Sequence, residues 1–212
     1  MRIFALALLL AAALGGAATA QDQPAAPVPA AAVPAAPAAP AGPQVLIETS
    51  LGNFTLELDP VHAPVTTQNF LRYVNEHHFD GTVIYRVVPG FVIQAGSYDA
   101  NVTYRKAHES IVLEANNGLS NLRGTVAMAR DNDPNSADAE FFVNLADNTR
   151  LDHHADDPGN ATGYAVFGHV AAGMDVVDKI AKMPTGAGGP FPKDVPTQPV
   201  IINKAVVVDA AK

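Results

Sequence analysis

Alternating hydrophobic and polar residues predict β-strands early in the segment that begins at residue 44. Phe54, Leu56 and Leu58 alternate with polar residues, so one face of this run is expected to be buried and the other solvated. A second strand-like run at 45–49 precedes it across Leu51-Gly52-Asn53, and Gly and Asn are typical of a hairpin turn. Further strand-like runs lie at 82–88, 91–94, 111–114, 125–129, 141–143, 164–167 and 200–208.

Two segments have helical spacing instead. The first begins at Pro64, a residue suited to the first helical position, and places Phe70, Tyr73 and Val74 mostly on one side. The second covers 174–183, with apolar residues three to four positions apart. Many strands with two helices predict a mainly β fold, either a closed barrel or a sandwich, capped by the helices.

The N-terminal residues differ in composition from the rest. Arg2, an apolar stretch from Ile3 to Leu14 and Ala18-Thr19-Ala20 match an export signal over residues 1–20, and an uncleaved membrane anchor is the alternative. Residues 21–43 contain 7 Pro and 10 Ala, which predicts an extended linker that serves either as a tether or as a solvated tail. Residues 44–212 are then predicted to form one domain.

Composition excludes several classes of function. The chain has a formal net charge of −8, and residues 44–212 hold 12 Lys and Arg against 20 Asp and Glu, so nucleic acid is not an expected partner. The absence of Cys excludes disulfides, thiolate metal ligands and a thiol nucleophile. The two His-His pairs lack the spacing of a zinc site, so no metal is expected.

Three segments carry candidate chemistry. Arg86 interrupts an apolar strand that turns through Pro89-Gly90 into a second strand containing Gln94, so its guanidinium is either solvated or held in a pocket by polar partners. The second segment runs from Thr125 to Arg130 and continues to Glu140-Phe141-Phe142, and the third combines Leu151-Asp152-His153-His154 with the stretch 163–168. On pattern alone, paired aromatic residues preceded by a carboxylate are more often an ordinary core with a solvated edge.

Taken together, these segments resemble the cyclophilin peptidyl-prolyl isomerases, and the exported bacterial branch in particular. The resemblance runs in order over nearly all of residues 44–210 and rests on four motifs: Arg86 with 91–96 (FVIQAG), Met128-Ala129-Arg130, Phe141-Phe142 and 164–168 (YAVFG). It implies a closed eight-stranded antiparallel β-barrel capped by two α-helices. It also implies isomerisation of X-Pro bonds in proline-containing polypeptides without a cofactor. We further expect a monomer.

The resemblance also implies roles for individual residues. The family's catalytic Arg falls on Arg86, and Gln94 is expected to orient it. The proline pocket falls on Phe91, Val92, Phe142 and Leu151. The remaining substrate contacts fall on Ala129, Arg130, Glu140 and Tyr164.

Four positions depart from the pattern of many relatives. Tyr85 and Tyr164 stand where His is frequent, and Glu140 stands where Gln is more common. We expect the Glu140 carboxylate to pair with Arg86 and to slow turnover modestly. Arg150 stands where cyclosporin-sensitive relatives have Trp, so weak cyclosporin binding is expected.

The leading hypothesis is a periplasmic prolyl isomerase that assists the folding of exported proteins. Catalysis would relieve a slow step, because uncatalysed X-Pro exchange takes roughly tens to hundreds of seconds. A proline-peptide-binding chaperone module with little turnover would use the same groove. A scaffold tethered to the wall or inner membrane would use the linker and the barrel exterior.

Overall fold

The computed structural model describes residues 42–156 and 162–208. The predicted signal at 1–20 and most of the predicted linker at 21–43 lie outside these residues. Ten strands and two α-helices are present among the described residues: β1 (Gln44–Thr49), β2 (Gly52–Leu58), α1 (Pro64–Asn75), β3 (Thr82–Val88), β4 (Val92–Asp99), β5 (Thr125–Met128), β6 (Phe141–Asn144), β7 (Val166–Ala172), α2 (Met174–Ala181), β8 (Thr185–Gly188), β9 (Phe191–Pro196) and β10 (Ile202–Val208).

Eight of the strands form one antiparallel sheet that curls into a nearly closed barrel. Their order is β10-β1-β2-β7-β5-β6-β4-β3. The two end strands meet at a bridge between Val83 and Ile201, and the amide of Ile84 donates to the carbonyl of Val200 at 2.9 Å beside it. The mainly β fold, with an eight-stranded barrel and two helices, is therefore confirmed.

The interior of the barrel is filled by aromatic and aliphatic side chains. The ring of Phe70 of α1 packs against three other rings, with its centroid 5.1 Å from that of Phe79, 5.3 Å from that of Phe141 and 5.1 Å from that of Phe167. These four rings are almost completely buried, so large, rigid hydrophobic surfaces hold α1 against the barrel.

Helix α1 begins at Pro64, as the sequence predicts, and its first turn is capped from a distant loop. The Glu114 carboxylate accepts hydrogen bonds from the amides of Val65 at 3.1 Å and Thr66 at 2.8 Å. These amides have no partner within the helix, and a negative charge at a helix N-terminus is favourable. Neither α1, α2 nor any other helix within the described ranges is long and apolar enough to cross a membrane.

The structure corrects three local predictions. The run at 111–114 is not a strand, because only Ile111 forms a bridge, to Ala137. The first hairpin turns at Ser50-Leu51, since Gly52 already pairs with Thr49. The hairpin of β8 and β9 is absent from the sequence-based prediction, because its Gly-rich first strand lacks hydrophobic alternation.

Candidate functional site

The hairpin of β3 and β4 places Arg86 opposite Gln94. The two residues are register partners, and the turn between the strands is closed by a hydrogen bond from the Phe91 amide to the Val88 carbonyl at 3.0 Å. Gly90 occupies this turn with a φ of 71°, a conformation that side chains disfavour. Arg86 Nη1 donates to Gln94 Oε1 at 3.1 Å, so the guanidinium has a polar partner and is not free in solvent.

An apolar pocket lies beside this pair. Val92, Ala127, Phe142 and Val166 form its buried floor. The cavity is partly open to solvent and has a volume of about 310 Å³. It is lined by Arg86, Phe91, Val92, Gln94, Ala129, Arg130, Phe142, Leu151 and Tyr164. The structure thus brings nine of the ten predicted site residues to one cavity.

The guanidinium of Arg86 stands at the rim of the pocket. Its Cζ lies 6.0 Å from the centroid of the Phe91 ring. On the opposite wall, Phe142 and Tyr164 meet edge to face, with ring centroids 5.7 Å apart. The pocket therefore offers apolar walls for a small ring, with the guanidinium of Arg86 at its edge.

Buried asparagines support the loops that carry two walls of the pocket. Asn148 Nδ2 donates to the carbonyl of Phe91 at 2.9 Å and to Asn144 Oδ1 at 2.8 Å. The backbone amide of Asn121 donates to Asp152 Oδ1 at 2.7 Å and its Nδ2 donates to the same oxygen at 2.9 Å, next to Leu151. This network was not predicted from the sequence, because isolated Asn residues resemble ordinary surface residues.

Arg130 follows β5 and forms the far edge of the pocket. Its Nε donates to the carbonyl of Gly163 at 2.9 Å, and its Nη2 donates to Thr162 Oγ1 at 2.7 Å. The guanidinium lies over the ring of Tyr164, with Cζ 4.6 Å from the centroid. The side chain of Arg130 therefore stabilises the wall that contains Gly163 and Tyr164. The backbone of Arg130 remains available for the predicted substrate contact.

Glu140, the tenth predicted site residue, lies behind Gln94 and outside the apolar pocket. Its Oε2 accepts hydrogen bonds from the Tyr85 hydroxyl at 2.7 Å and from Gln94 Nε2 at 2.9 Å. Burial raises the pKa of Glu140 above its ordinary value, and burial together with the nearby carboxylate raises the pKa of Tyr85. The expected pairing of Glu140 with Arg86 is wrong, because no ion pair joins them among the described residues.

A second cavity of about 580 Å³ adjoins the first one, and Arg86 and Gln94 line both. Its aromatic wall contains Tyr98, whose ring centroid lies 4.5 Å from Tyr85 and 5.1 Å from Phe191 of β9. This aromatic wall was not predicted from the sequence. The pair of Gly residues before Phe191 is typical of a tight hairpin and could have indicated it.

The chemistry of the site is that of binding rather than bond cleavage. Its charged donor, Arg86, is fixed, and the surfaces around it are apolar. Among residues 42–156 and 162–208, no three His, Asp or Glu side chains come together as a metal would require. Such an arrangement can hold a planar or twisted amide and stabilise one form by hydrogen bonding.

Comparisons with known proteins agree on one family. The family model described as cyclophilin type peptidyl-prolyl cis-trans isomerase/CLD matches residues 44–207. Peptidyl-prolyl cis-trans isomerase A of Dickeya dadantii is 44% identical over 164 residues, covering 77% of this chain and 84% of that protein. Peptidyl-prolyl cis-trans isomerase cyp18 of Streptomyces antibioticus is 46% identical over 164 residues, covering 77% and 98%.

Solved structures share the fold. A cyclophilin type peptidyl-prolyl cis-trans isomerase of Cryptosporidium parvum, determined in the presence of the dipeptide Ala-Pro, superposes with a TM-score of 0.64 at 21% identity. The superposition covers 79% of this chain and 99% of that one. The likeness extends over the barrel as a whole.

Proposed function

The chain belongs to the cyclophilin-type peptidyl-prolyl cis-trans isomerase family, and from this premise we propose that it uses Arg86 to isomerise X-Pro bonds in exported proteins during their folding. The isomerase activity itself follows from the match over residues 44–207 and from relatives more than 40% identical. The assignment of roles to residues and the choice of client proteins are the proposal.

The reaction requires stabilisation of a twisted amide. Rotation about a peptide bond removes its C–N double-bond character and has a barrier of about 18–20 kcal/mol. An enzyme lowers this barrier by binding the twisted form more tightly than either planar form. The twisted amide has a more pyramidal and more basic prolyl nitrogen, so a donor aimed at that nitrogen or at the adjacent carbonyl favours the transition state.

Arg86 is the donor in this scheme. The observation that carries the proposal is its hydrogen bond to Gln94 at 3.1 Å, at the rim of an apolar pocket. A guanidinium whose plane is fixed beforehand loses less conformational freedom when the substrate reaches the transition state. Hydrogen bonds from a charged donor are also stronger in a partly dry site.

The apolar walls hold the proline ring while the preceding residue rotates. Phe91, Phe142 and Leu151 line the pocket, and burial of the pyrrolidine ring between them supplies the binding energy. Ala129 and the backbone of Arg130 lie at the edge, where the segment before proline can add as an extended strand. The structure of the Cryptosporidium parvum relative in the presence of Ala-Pro supports this choice of ligand.

The N-terminal sequence supports a role on exported proteins. Arg2, the apolar stretch that follows and the small residues before position 21 have the pattern of an export signal. Proteins that fold after export meet the same slow X-Pro exchange as any others, so an isomerase in the periplasm would accelerate their folding. An extended linker at 21–43 would separate the barrel from its site of export.

Two experiments test the proposal. Isomerisation of a short Ala-Pro peptide, followed by NMR exchange without a coupled protease, is expected to be fast with the wild type and slow with Arg86→Ala. Equal rates for the two proteins would instead indicate a proline-peptide-binding module. Cell fractionation of the full chain and of a chain without residues 2–20 is expected to place only the former in the periplasm. Full-length protein retained in the cytoplasm would contradict export, and retention in the membrane fraction would indicate an anchor.

A further inference from the structure

The side-chain amide of Gln94 is held at both of its ends. Its Oε1 accepts from Arg86 Nη1, while its Nε2 donates to Glu140 Oε2 at 2.9 Å and to the Tyr85 hydroxyl at 2.5 Å. We propose that Tyr85 and Glu140 are a positioning pair that fixes the Gln94 amide with its oxygen towards Arg86, so that both residues affect isomerisation through Gln94. The inference rests on the proposed role of Arg86.

The direction of the hydrogen bonds follows from the chemistry of a carboxylate. An ionised carboxylate only accepts hydrogen bonds, whereas a primary amide presents an acceptor at one end and donors at the other. Glu140 therefore selects the NH2 end of Gln94 and excludes the reversed orientation. In the reversed orientation the NH2 group would face the guanidinium of Arg86, and two donors would oppose each other.

Tyr85 makes the carboxylate tolerable in this place. Its side chain is only 4% exposed, and its hydroxyl donates to Glu140 at 2.7 Å. A half-buried carboxylate needs such donors, because a charge removed from water without partners is costly. The hydroxyl also accepts from Gln94, so the three groups form a closed triangle of hydrogen bonds. Tyr85 and Glu140 thus form a matched pair at two of the four positions where this chain departs from many relatives.

This arrangement changes the expected effect of Glu140. The sequence-based expectation of slower turnover assumed that the carboxylate draws hydrogen bonds from Arg86, and the structure shows it bonded to Tyr85 and Gln94 instead. With Gln at position 140, either end of that amide could face Gln94. If both orientations of Gln94 were then equally populated, the competent fraction would be one half and kcat/KM would fall about twofold.

The pair also predicts a pH dependence. Protonated Glu140 can donate a hydrogen bond and no longer selects the NH2 end of Gln94, so activity should fall as pH decreases through the pKa of this carboxyl. Burial raises that pKa above the ordinary value, which moves the loss towards mildly acidic pH. The charged and titratable groups around Glu140 are Tyr85 and Arg86 on β3, Tyr98 on β4, Tyr104 after β4, Arg130 and Asp131 after β5, and Asp138 before β6. Asp138 is the neighbouring carboxylate that raises this pKa further.

The experiment measures kcat/KM for an Ala-Pro peptide from about pH 4.5 to 8, a range chosen to span the ordinary and raised pKa of a carboxyl group. The wild type is expected to lose activity at the acid end, and Glu140→Gln is expected to lose this acid limb. Tyr85→Phe is expected to lower kcat/KM about two- to tenfold at pH 7, since one hydrogen bond to the carboxylate is removed. In a Gln94→Ala background, adding Tyr85→Phe should cause no further loss, because the residue through which it acts is gone.

Controls separate positioning from stability. Tyr73→Phe removes another buried hydroxyl, which accepts from the His108 amide at 2.8 Å, and Glu114→Gln alters a carboxylate that caps α1. Both should lower the unfolding midpoint and leave kcat/KM and its pH profile unchanged. His78 has a pKa lowered by burial and could titrate in the same range, so His78→Asn should retain the acid limb.

Specific outcomes would overturn the inference. An acid limb that persists in Glu140→Gln, or a loss from Tyr85→Phe that is equally large in the Gln94→Ala background, would show that the pair does not act through Gln94. These results are distinguishable from failure of the proposed function. If the proposed function fails, Arg86→Ala is as active as the wild type. If only the positioning role fails, Arg86→Ala is slow, while Tyr85→Phe either keeps the wild-type rate or causes the same loss in the Gln94→Ala background as alone.

Discussion

Replacement of Arg86 is the most direct test of how the site works. Arg86→Ala removes the guanidinium that Gln94 holds at the rim of the apolar pocket. The pocket walls remain, so the proline ring should still bind. The donor for the twisted amide is lost, so the rate should fall more than the affinity.

The size of the effect can be judged from the bonds involved. Removing one preorganised donor from a site that stabilises developing charge lowers kcat about 100- to 1,000-fold. Arg86→Lys keeps the charge, but an ammonium lacks the planar set of donors of a guanidinium. It therefore cannot donate to Gln94 and to the substrate at the same time in a fixed geometry. We expect Arg86→Lys to recover only part of the loss. Arg86 is partly exposed, so neither change should alter the free energy of unfolding by more than about 1 kcal/mol.

The assay is NMR exchange on an Ala-Pro peptide, with peptide affinity measured separately by calorimetry. Arg72→Ala is the matched control, because Arg72 lies on α1 over the Tyr73 ring and lines neither the apolar pocket nor the second cavity. The role of Arg86 as donor to the twisted amide is refuted if Arg86→Ala retains kcat/KM within about threefold of the wild type. It is also refuted if the loss lies entirely in peptide affinity, since Arg86 would then bind both planar and twisted forms equally.

Three further predictions concern stability and inhibitor binding. Gly96→Ala should destabilise the fold by at least about 2 kcal/mol, because Gly96 has a φ of 125° and a Cβ there would lie 2.4 Å from the carbonyl oxygen of Ala139; a urea midpoint equal to the wild type would contradict this. Thr67→Val should raise the free energy of unfolding by about 0.5–1 kcal/mol, since the buried Thr67 hydroxyl has no hydrogen-bond partner among the described residues. Thr66→Val, one residue earlier, should lower it by about 1–2 kcal/mol because its hydroxyl donates to a carboxylate at 2.7 Å, and equal effects of the two changes would disprove the argument. Cyclosporin should inhibit weakly, since Arg150, whose guanidinium lies over the Phe91 ring, stands where cyclosporin-sensitive relatives have Trp, and nanomolar inhibition of the wild type or no gain in Arg150→Trp would show this to be wrong.

Sequence was sufficient where hydrophobic periodicity and local turn chemistry decide the structure. The alternation of Phe54, Leu56 and Leu58 gives the buried face of β2, and Pro89-Gly90 gives the turn that sets Arg86 opposite Gln94. Both features depend on residues close in the chain, so a single sequence contains the information.

Features that depend on distant contacts were not predictable in this way. The run at 111–114 is apolar enough for a strand, but Val112 is 56% exposed and Glu114 caps α1 instead. The contacts of Phe191 with Tyr85 arise because the β8–β9 hairpin folds over β3, which no local pattern reveals. Likewise, the partner of Glu140 could not be chosen from sequence, since Arg86, Tyr85 and Gln94 were all within reach of a carboxylate on a neighbouring strand.

The position of β1 has a consequence for the order of folding. This first strand lies between β2, which follows it at once, and β10 (residues 202–208), the last strand of the barrel in chain order among the described residues. Until the ribosome has finished that strand, one edge of β1 stays unpaired and the sheet cannot close on itself. The ring of strands behind the pocket therefore closes only once β10 has been synthesised and has paired with β1.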